Sequence, residues 1–246
     1  MVYQFFRGPP LSLHTVRSSA LPLHVQIHEA LIRDIAAGRL SDGEKLPPER
    51  VLAGQYGTTV RTLRKALAQL EKDGFLTRVQ GSGNYIQHTE ETGGIYSLFR
   101  LELPQGGGLP TAHVLDVLEQ DKPPDLPTFG ASDRATRIQR VRHLDHLPVA
   151  VEDIWLDRSA GAVSPEALSE SLYLYYRRSL GFWIRRIEDR VWLGPLPDWA
   201  PKSFPKAPGE MVGYIERLSW AQADHPVEFS RTWFDPDRAR YVQRLS

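Results

Sequence analysis

No cysteine occurs among the 246 residues, which excludes disulfides, cysteine-ligated zinc and thiol chemistry. No apolar run approaches the ~20 residues that a membrane-spanning helix needs. The first twenty residues hold no apolar segment followed by a cleavage site, so a soluble cytoplasmic protein is expected, with no membrane partner. Net charge is lacking too: 30 Lys and Arg balance 30 Asp and Glu, so overall charge points to no polyanionic partner. The distribution says more. Residues 1–88 hold 11 basic against 7 acidic residues, and the remainder holds 19 against 23. A basic N-terminal part on an acidic remainder fits a nucleic-acid module joined to a second unit. What is present in quantity is apolar: 41% of residues are hydrophobic, enough for a core in one large domain or two modest ones.

The N-terminal part reads as three helices and a two-stranded wing. Between Pro22 and Gly38, Ile27, Leu31 and Ile35 recur every four residues, an apolar stripe on one helix face, with Gly38 as its stop. Pro48 is expected at the first position of a second helix, where its missing N–H costs little. That helix runs from Glu49 to about Gln55 and ends before Gly57. Thr58 or Thr59 caps a third helix, whose buried face is Leu63, Ala66, Leu67 and Leu70 and whose end is Gly74. A strand over 75–80, a Gly81-Ser82-Gly83 turn and a return strand over 84–86 complete the unit.

Arg61 and Arg64 fall on the solvent face at the start of a helix that follows a tight turn. Helix-turn-helix proteins present that end to base edges in the major groove, and arginine is the best bidentate donor to guanine. Arg50 on the preceding helix and Arg78 on the wing suit phosphate contacts. The small Gly-Ser-Gly tip lets backbone amides approach DNA closely.

These strings resemble the winged helix-turn-helix of the GntR family of bacterial transcription regulators. The resemblance is carried by PLHVQIHEALIRDIAAGRL, LPPERVLA, TLRKALAQLEKDGFL and QGSGNYI, together spanning residues 21–86. It implies DNA contacts from Arg50, from Thr59, Thr62 and Arg64 on the recognition helix, and from Gln80, Gly81 and Gly83 on the wing. In the family an arginine commonly follows the hydroxyl residue at position 59; here Val60 stands there and Arg61 comes one step later. One residue turns a helix by ~100°, so Arg61 is expected to meet a different base or a phosphate.

Residues 87–130 gather glycine, proline and acid, as at a domain join. The expected division is a DNA-binding domain over 15–88, a linker over 89–94 and a second domain over 95–246. In the second domain a motif occurs twice. IQRVRHLDHLPVAVEDIWLD runs from Ile138 to Asp157, and IERLSWAQADHPVEFSRTWFD from Ile215 to Asp235. Both read Ile-x-Arg, a turn with Asp, Pro-Val, then Trp, Leu or Phe, and Asp. Period-two patterning makes each copy a strand–turn–strand hairpin in one sheet. A helix from Pro165 to about Arg178, ended by Gly181, and a strand from about 182 to 193 lie between them.

Strand parity puts Ile138, Arg140, Arg142 and Leu144 on one face, as it does Ala150, Glu152, Ile154 and Leu156, and Glu228, Ser230, Thr232 and Phe234. Were this face buried, the arginines would need anionic partners. Glu152 and Glu228 could serve internally, or bind polar groups of a ligand while the arginines hold its anion. Parity alone equally allows a wet sheet face with surface ion pairs.

This half resembles the UTRA effector-binding domain that defines the HutC-like branch of GntR regulators, through RIQRVRHLDHLPVAVEDIWL, SLYLYYRRSLG and PVEFSRTWF. The resemblance implies an α+β protein, its second domain an α/β unit with a mainly antiparallel, chorismate-lyase-like sheet. It implies a pocket for a small anionic metabolite formed by Arg140, Arg142, Glu152, Ser171 and Glu228. It also implies a homodimer on a pseudo-palindromic double-stranded operator and repression relieved by ligand, with no cofactor. The family often has Arg-x-Asp-Arg after the last strand, whereas here Asp235-Pro236-Asp237-Arg238 follows.

Two other classes fit less well. An enzyme of the chorismate-lyase fold would need catalytic residues, and neither a glycine-rich phosphate loop after a strand nor a nucleophile elbow occurs. A metal-responsive regulator would need ligands; His24 and His28 are spaced i, i+4, and His143, His146 and His225 lie near the hairpin turns, but no third ligand joins the helical pair.

Overall fold

The computed structural model describes residues 22–36, 39–87, 100–168, 171–222 and 224–244. Gly38 and both ends of the expected linker lie outside the described residues. The head contains α1 (Leu23–Ala36), α2 (Glu49–Gln55) and α3 (Val60–Lys72), then the wing strands β1 (Leu76–Val79) and β2 (Gly83–Ile86). Its core joins Ile27, Leu31 and Ile35 of α1 to Leu63, Ala66, Leu67 and Leu70 of α3, with Leu52, Phe75 and Ile86. The apolar spacing read from the sequence is therefore the packing face. Truncating one of the fully buried leucines to alanine would cost about 2–5 kcal/mol.

The helix ends follow local chemistry. Thr59 is the α3 cap, its Oγ1 accepting the Thr62 N–H at 3.2 Å. Gly74 turns the chain out of α3 at φ 82°, a left-handed conformation that glycine adopts without a Cβ clash. Pro48 sits one position earlier than expected. Its ψ of 138° is extended, so it caps α2 from outside, and its carbonyl accepts from Val51 and Leu52 N–H. The wing strands are shorter than the sequence suggested at the β1 end, where pairing stops at Val79 opposite Gly83.

The second domain is a six-stranded antiparallel sheet in the order β4-β5-β6-β9-β8-β7. Its strands are β4 (Pro110–Asp121), β5 (Arg134–Leu144), β6 (Leu147–Asp157), β7 (Arg186–Pro195), β8 (Met211–Trp220) and β9 (Glu228–Phe234). Two three-stranded meanders, β4-β5-β6 and β7-β8-β9, meet along β6 and β9. The duplicated motif supplies β5-β6 and β8-β9, so the repeat in sequence is a repeat in space. Asp157 and Asp235, which close the two copies, play the same part. Each is buried, each accepts the N–H two residues on (Ser159 at 2.9 Å, Asp237 at 3.0 Å), and each faces a lysine (Lys122, Lys206). Asp145 and His146 make the tight turn of the first hairpin at φ 47° and 67°.

The helix expected from Pro165 does not form as one piece. Pro165–Ala167 is a single 3-10 turn, and α4 (Leu172–Tyr175) starts at its cap Ser171, whose Oγ accepts the Leu174 N–H at 3.4 Å. It widens into a π turn over Tyr176–Leu180 and stops at left-handed Gly181. The α4 segment covers one sheet face, packing Leu172, Tyr175 and Tyr176 on Ile138, Ile154 and Leu156. Residues 196–204 cover the other, where Leu196 and Phe204 pack on Val141, Val151 and Trp233. A short pair, β3 (Leu101–Glu102) with β10 (Arg240–Tyr241), joins the entry and exit of the domain.

Candidate nucleic-acid interface and ligand pocket

On the head, Arg50, Thr59, Arg61 and Arg64 are exposed around the α2–α3 turn, as are Gln80 and Gly81 at the wing tip. Arg64 is 64% exposed, and its Nε donates to Glu49 Oε2 at 2.7 Å, spanning α3 and α2. Thr62 is half-buried, its hydroxyl 3.0 Å from that of Thr59, so it braces the cap. Val60 is partly buried against the head core, which explains an apolar residue there: that position faces inward, and Arg61 is the outward one. Arg78 pairs with Glu71 at 3.0 Å. Gly81 and Gly83 turn the wing at φ 76° and 137°, and a Cβ at Gly83 would lie 3.1 Å from Lys45 Cε, a tight contact with a flexible side chain. Lys45, which the sequence reading passed over, bridges to Tyr85 and adds a cation at the wing base.

In the second domain, Arg140, Arg142, Glu152, Ser171 and Glu228 all line one cavity of about 100 Å³. The face they share is buried under α4; the wet alternative is not what forms. Strand register places Arg140 beside Glu152 and Glu152 beside Thr232, one rung from Ile154, Ser230 and Arg217. Arg140 is 5% and Glu152 7% exposed. The Arg140 Nε donates to Glu152 Oε2, and Arg142 Nη2 lies 3.4 Å from the same oxygen. Two guanidiniums thus converge on one carboxylate.

Burial pushes the Glu152 carboxyl upward, but Arg140 and Arg142 overcome it and hold it below its ordinary value. Burial and the neighbouring Arg140 push Arg142 down to about 10, against the pull of Glu152. Glu228 behaves oppositely: burial raises it despite hydrogen bonds from Tyr176 at 2.6 Å and Ser219 at 3.0 Å. Burial and Glu228 together raise the Tyr173 hydroxyl to about 12. Two buried carboxylates on one face therefore differ in character: Glu152 is firmly ionised, and Glu228 binds its proton more tightly than usual.

The sequence reading missed Arg217, which also lines the cavity and is held in a bidentate grip by Asp189 at 2.6 and 2.8 Å. The signal was present. In the duplicated Ile-x-Arg motif, Arg217 is the counterpart of Arg140. Tyr173, Ser230 and Thr232 complete a polar lining that had no motif of its own. Asp235 does not line the cavity; it is the turn cap described above. Of the histidines, His28 is bound to Asp73 at 2.9 Å. Among the described residues no group of three His, Cys, Asp or Glu is placed to hold a metal ion, and no helix is long and apolar enough to cross a membrane.

Comparison with known proteins assigns both halves. Residues 23–86 match the model of bacterial regulatory proteins of the gntR family, and residues 106–240 match the UTRA domain. The chain is 52% identical to the HTH-type transcriptional regulator SmoD of Agrobacterium fabrum, over 92% of this chain and 97% of that protein. It is 25% identical to the HTH-type transcriptional repressor NagR of Bacillus subtilis, over 94% and 98%. It shares its fold with the crystal structure of the possible transcriptional regulator YydK from Bacillus subtilis, at 22% identity and a TM-score of 0.51 over 91% of this chain and 99% of that one. A winged head followed by a UTRA domain, matched in that order, means that the chain belongs to the HutC-like branch of the GntR family and is a DNA-binding transcriptional regulator, not an enzyme.

Proposed function

We propose that the protein is a cytoplasmic homodimeric repressor whose heads bind a pseudo-palindromic operator and release it when a small anionic metabolite enters the Arg140–Arg142 pocket. The carrying observation is convergence. Residues from β5, β6, β8, β9 and α4, far apart in sequence, meet at one cavity that combines guanidiniums, carboxylates and hydroxyls. Guanidiniums suit a phosphate, sulfonate or carboxylate group. Glu152, Ser171, Ser230 and Thr232 suit hydroxyls on the rest of the molecule. In the head, Arg61 and Arg64 read bases or phosphates from α3, while Arg50, Thr59, Thr62 and the Gln80, Gly81 and Gly83 wing fix the docking. Two-fold symmetry of the dimer would then set the half-site spacing.

A metabolite screen by thermal shift identifies the effector, and operator affinity is then followed by fluorescence anisotropy as effector is added. Thr232→Leu fills the cavity with an apolar side chain and removes no charge. It is expected to keep operator binding and to lose the response to effector. A Thr232→Leu protein released from operator at wild-type effector concentrations would sink the pocket assignment.

A further inference from the structure

The pocket is not built by the UTRA domain alone. Two of its lining residues, Glu29 and Arg33, come from α1 of the DNA-binding head. Both are buried, and the head's own core cannot be the cause. At ~100° per residue, Glu29 and Arg33 lie nearly opposite the Ile27, Leu31 and Ile35 stripe that packs on α3. The effector domain covers them. Arg33 Nη2 donates to the carbonyl of Gly108, and Arg39 spans Asp34 of α1 and Glu102 of β3, which Arg244 also holds at 2.7 Å.

We propose that Glu29 is an internal anion of the effector pocket, so that an anionic ligand and the docked head compete for the same guanidiniums. The proposal rests on the pocket reading given above and names its regulation. Three observations support it. Glu29 lines the cavity together with Arg140 and Arg142. Its negative charge supports the Arg142 guanidinium against burial and Arg140, as a smaller contribution after Glu152 and Tyr173. The cavity, at about 100 Å³, is well short of the roughly 300–1,000 Å³ of a usual small-molecule site. So small a space sets any anion that enters, phosphate included, directly against its walls, and α1 is the wall that belongs to another domain. A second anion beside Glu29 in a space of low dielectric also raises the cost of keeping both. Ligand entry expels Glu29, and α1 carries the head with it. The coupling needs no relay, because the sensing residue sits on the DNA-binding domain itself.

The test uses inorganic phosphate as the probe and the full chain. Glu29→Gln removes the charge and keeps the shape. Calorimetric titration is expected to show phosphate binding Glu29→Gln about tenfold more tightly than wild type, the low end of what a charge-assisted contact is worth. Head position is read by spin-label distances in V51C/M211C, both exposed positions in a chain with no other cysteine. Labelled chains are diluted with unlabelled ones so that distances lie within one chain. Saturating phosphate is expected to lengthen and broaden the distance. Equal phosphate affinity for wild type and Glu29→Gln, or a distance unmoved at saturation, would overturn the competition. Phosphate binding that survives Thr232→Leu undiminished would overturn the pocket itself, which is a different failure.

Discussion

Arg64 and Arg140 are the same side chain under opposite conditions. Arg64 is 64% exposed and leans on Glu49 from the neighbouring helix. Arg140 is buried between sheet and helix, and its guanidinium is held by Glu152. A surface pair of the first kind is worth at most ~1 kcal/mol, because water competes for both partners. It can be exchanged for a phosphate or a guanine edge with little loss. A buried pair of the second kind is costly to give up, since the partner left behind loses its closest counter-charge in a low dielectric. The head thus keeps its chemistry separate from its stability. The pocket makes the two inseparable.

The largest effect should come from breaking the buried pair. Arg140→Ala takes from Glu152 the closer of its two guanidiniums and leaves it only Arg142 at 3.4 Å; it is expected to lower unfolding free energy by up to about 3–5 kcal/mol, measured by urea denaturation. Removing both charges together, as R140L with E152L, should recover part of that loss, because apolar side chains replace the closer pair, although Arg142 then loses Glu152 as well. If the single variant lost less than about 1 kcal/mol, Arg140 would be no more committed than Arg64 and the contrast would collapse.

The head gives a smaller effect, and of another kind. Arg64→Ala should weaken operator binding by about 1–3 kcal/mol, or ~5–150-fold, with unfolding free energy changed by no more than about 0.5 kcal/mol. Anisotropy against an operator fragment reads the first, and denaturation the second. Undiminished operator affinity would remove Arg64 from the DNA face.

The same contrast explains what could be read in advance. The head was legible almost residue by residue, because its function lies on local signals: a stripe of apolar residues, the Thr59 cap, the Gly74 stop, and arginines off the stripe. The sheet was legible in pattern, because the duplicated hairpin motif is itself a spatial repeat. What parity could not decide was which face is buried. That depends on α4, whose short sequence gives a weak helical signal and whose start at Ser171 differs from the expected Pro165. Arg217 could have been found by completing the repeat with Arg140. Glu29 and Arg33 could not. On α1 they read as the solvent face of an amphipathic helix, and only the docking of one domain on the other turns that face into part of a pocket.

The two pocket carboxylates allow the finest test, since they share a face and differ in sign of shift. Glu228 is held above its ordinary value of 4.5, chiefly by burial. At low pH the side chain is neutral in folded and unfolded chains alike, so Glu228→Gln should match wild type. As pH rises past 4.5, the unfolded chain releases the proton while the folded one retains it, and wild type loses stability until pH passes the raised value. The advantage of Glu228→Gln should therefore grow over that window and then level off, measured as the difference in melting temperature from about pH 4 to about pH 8. Glu152 runs the other way. Arginine holds it below its ordinary value, so its contribution is present above that value and fades as pH falls through the depressed one. A Glu228→Gln difference that did not change with pH would mean that Glu228 titrates alike in the folded and unfolded chain and is not held protonated by burial. Glu228 would then be ionised beside Glu152 near neutral pH, and the surplus of guanidinium charge on which the proposed anion pocket depends would be smaller.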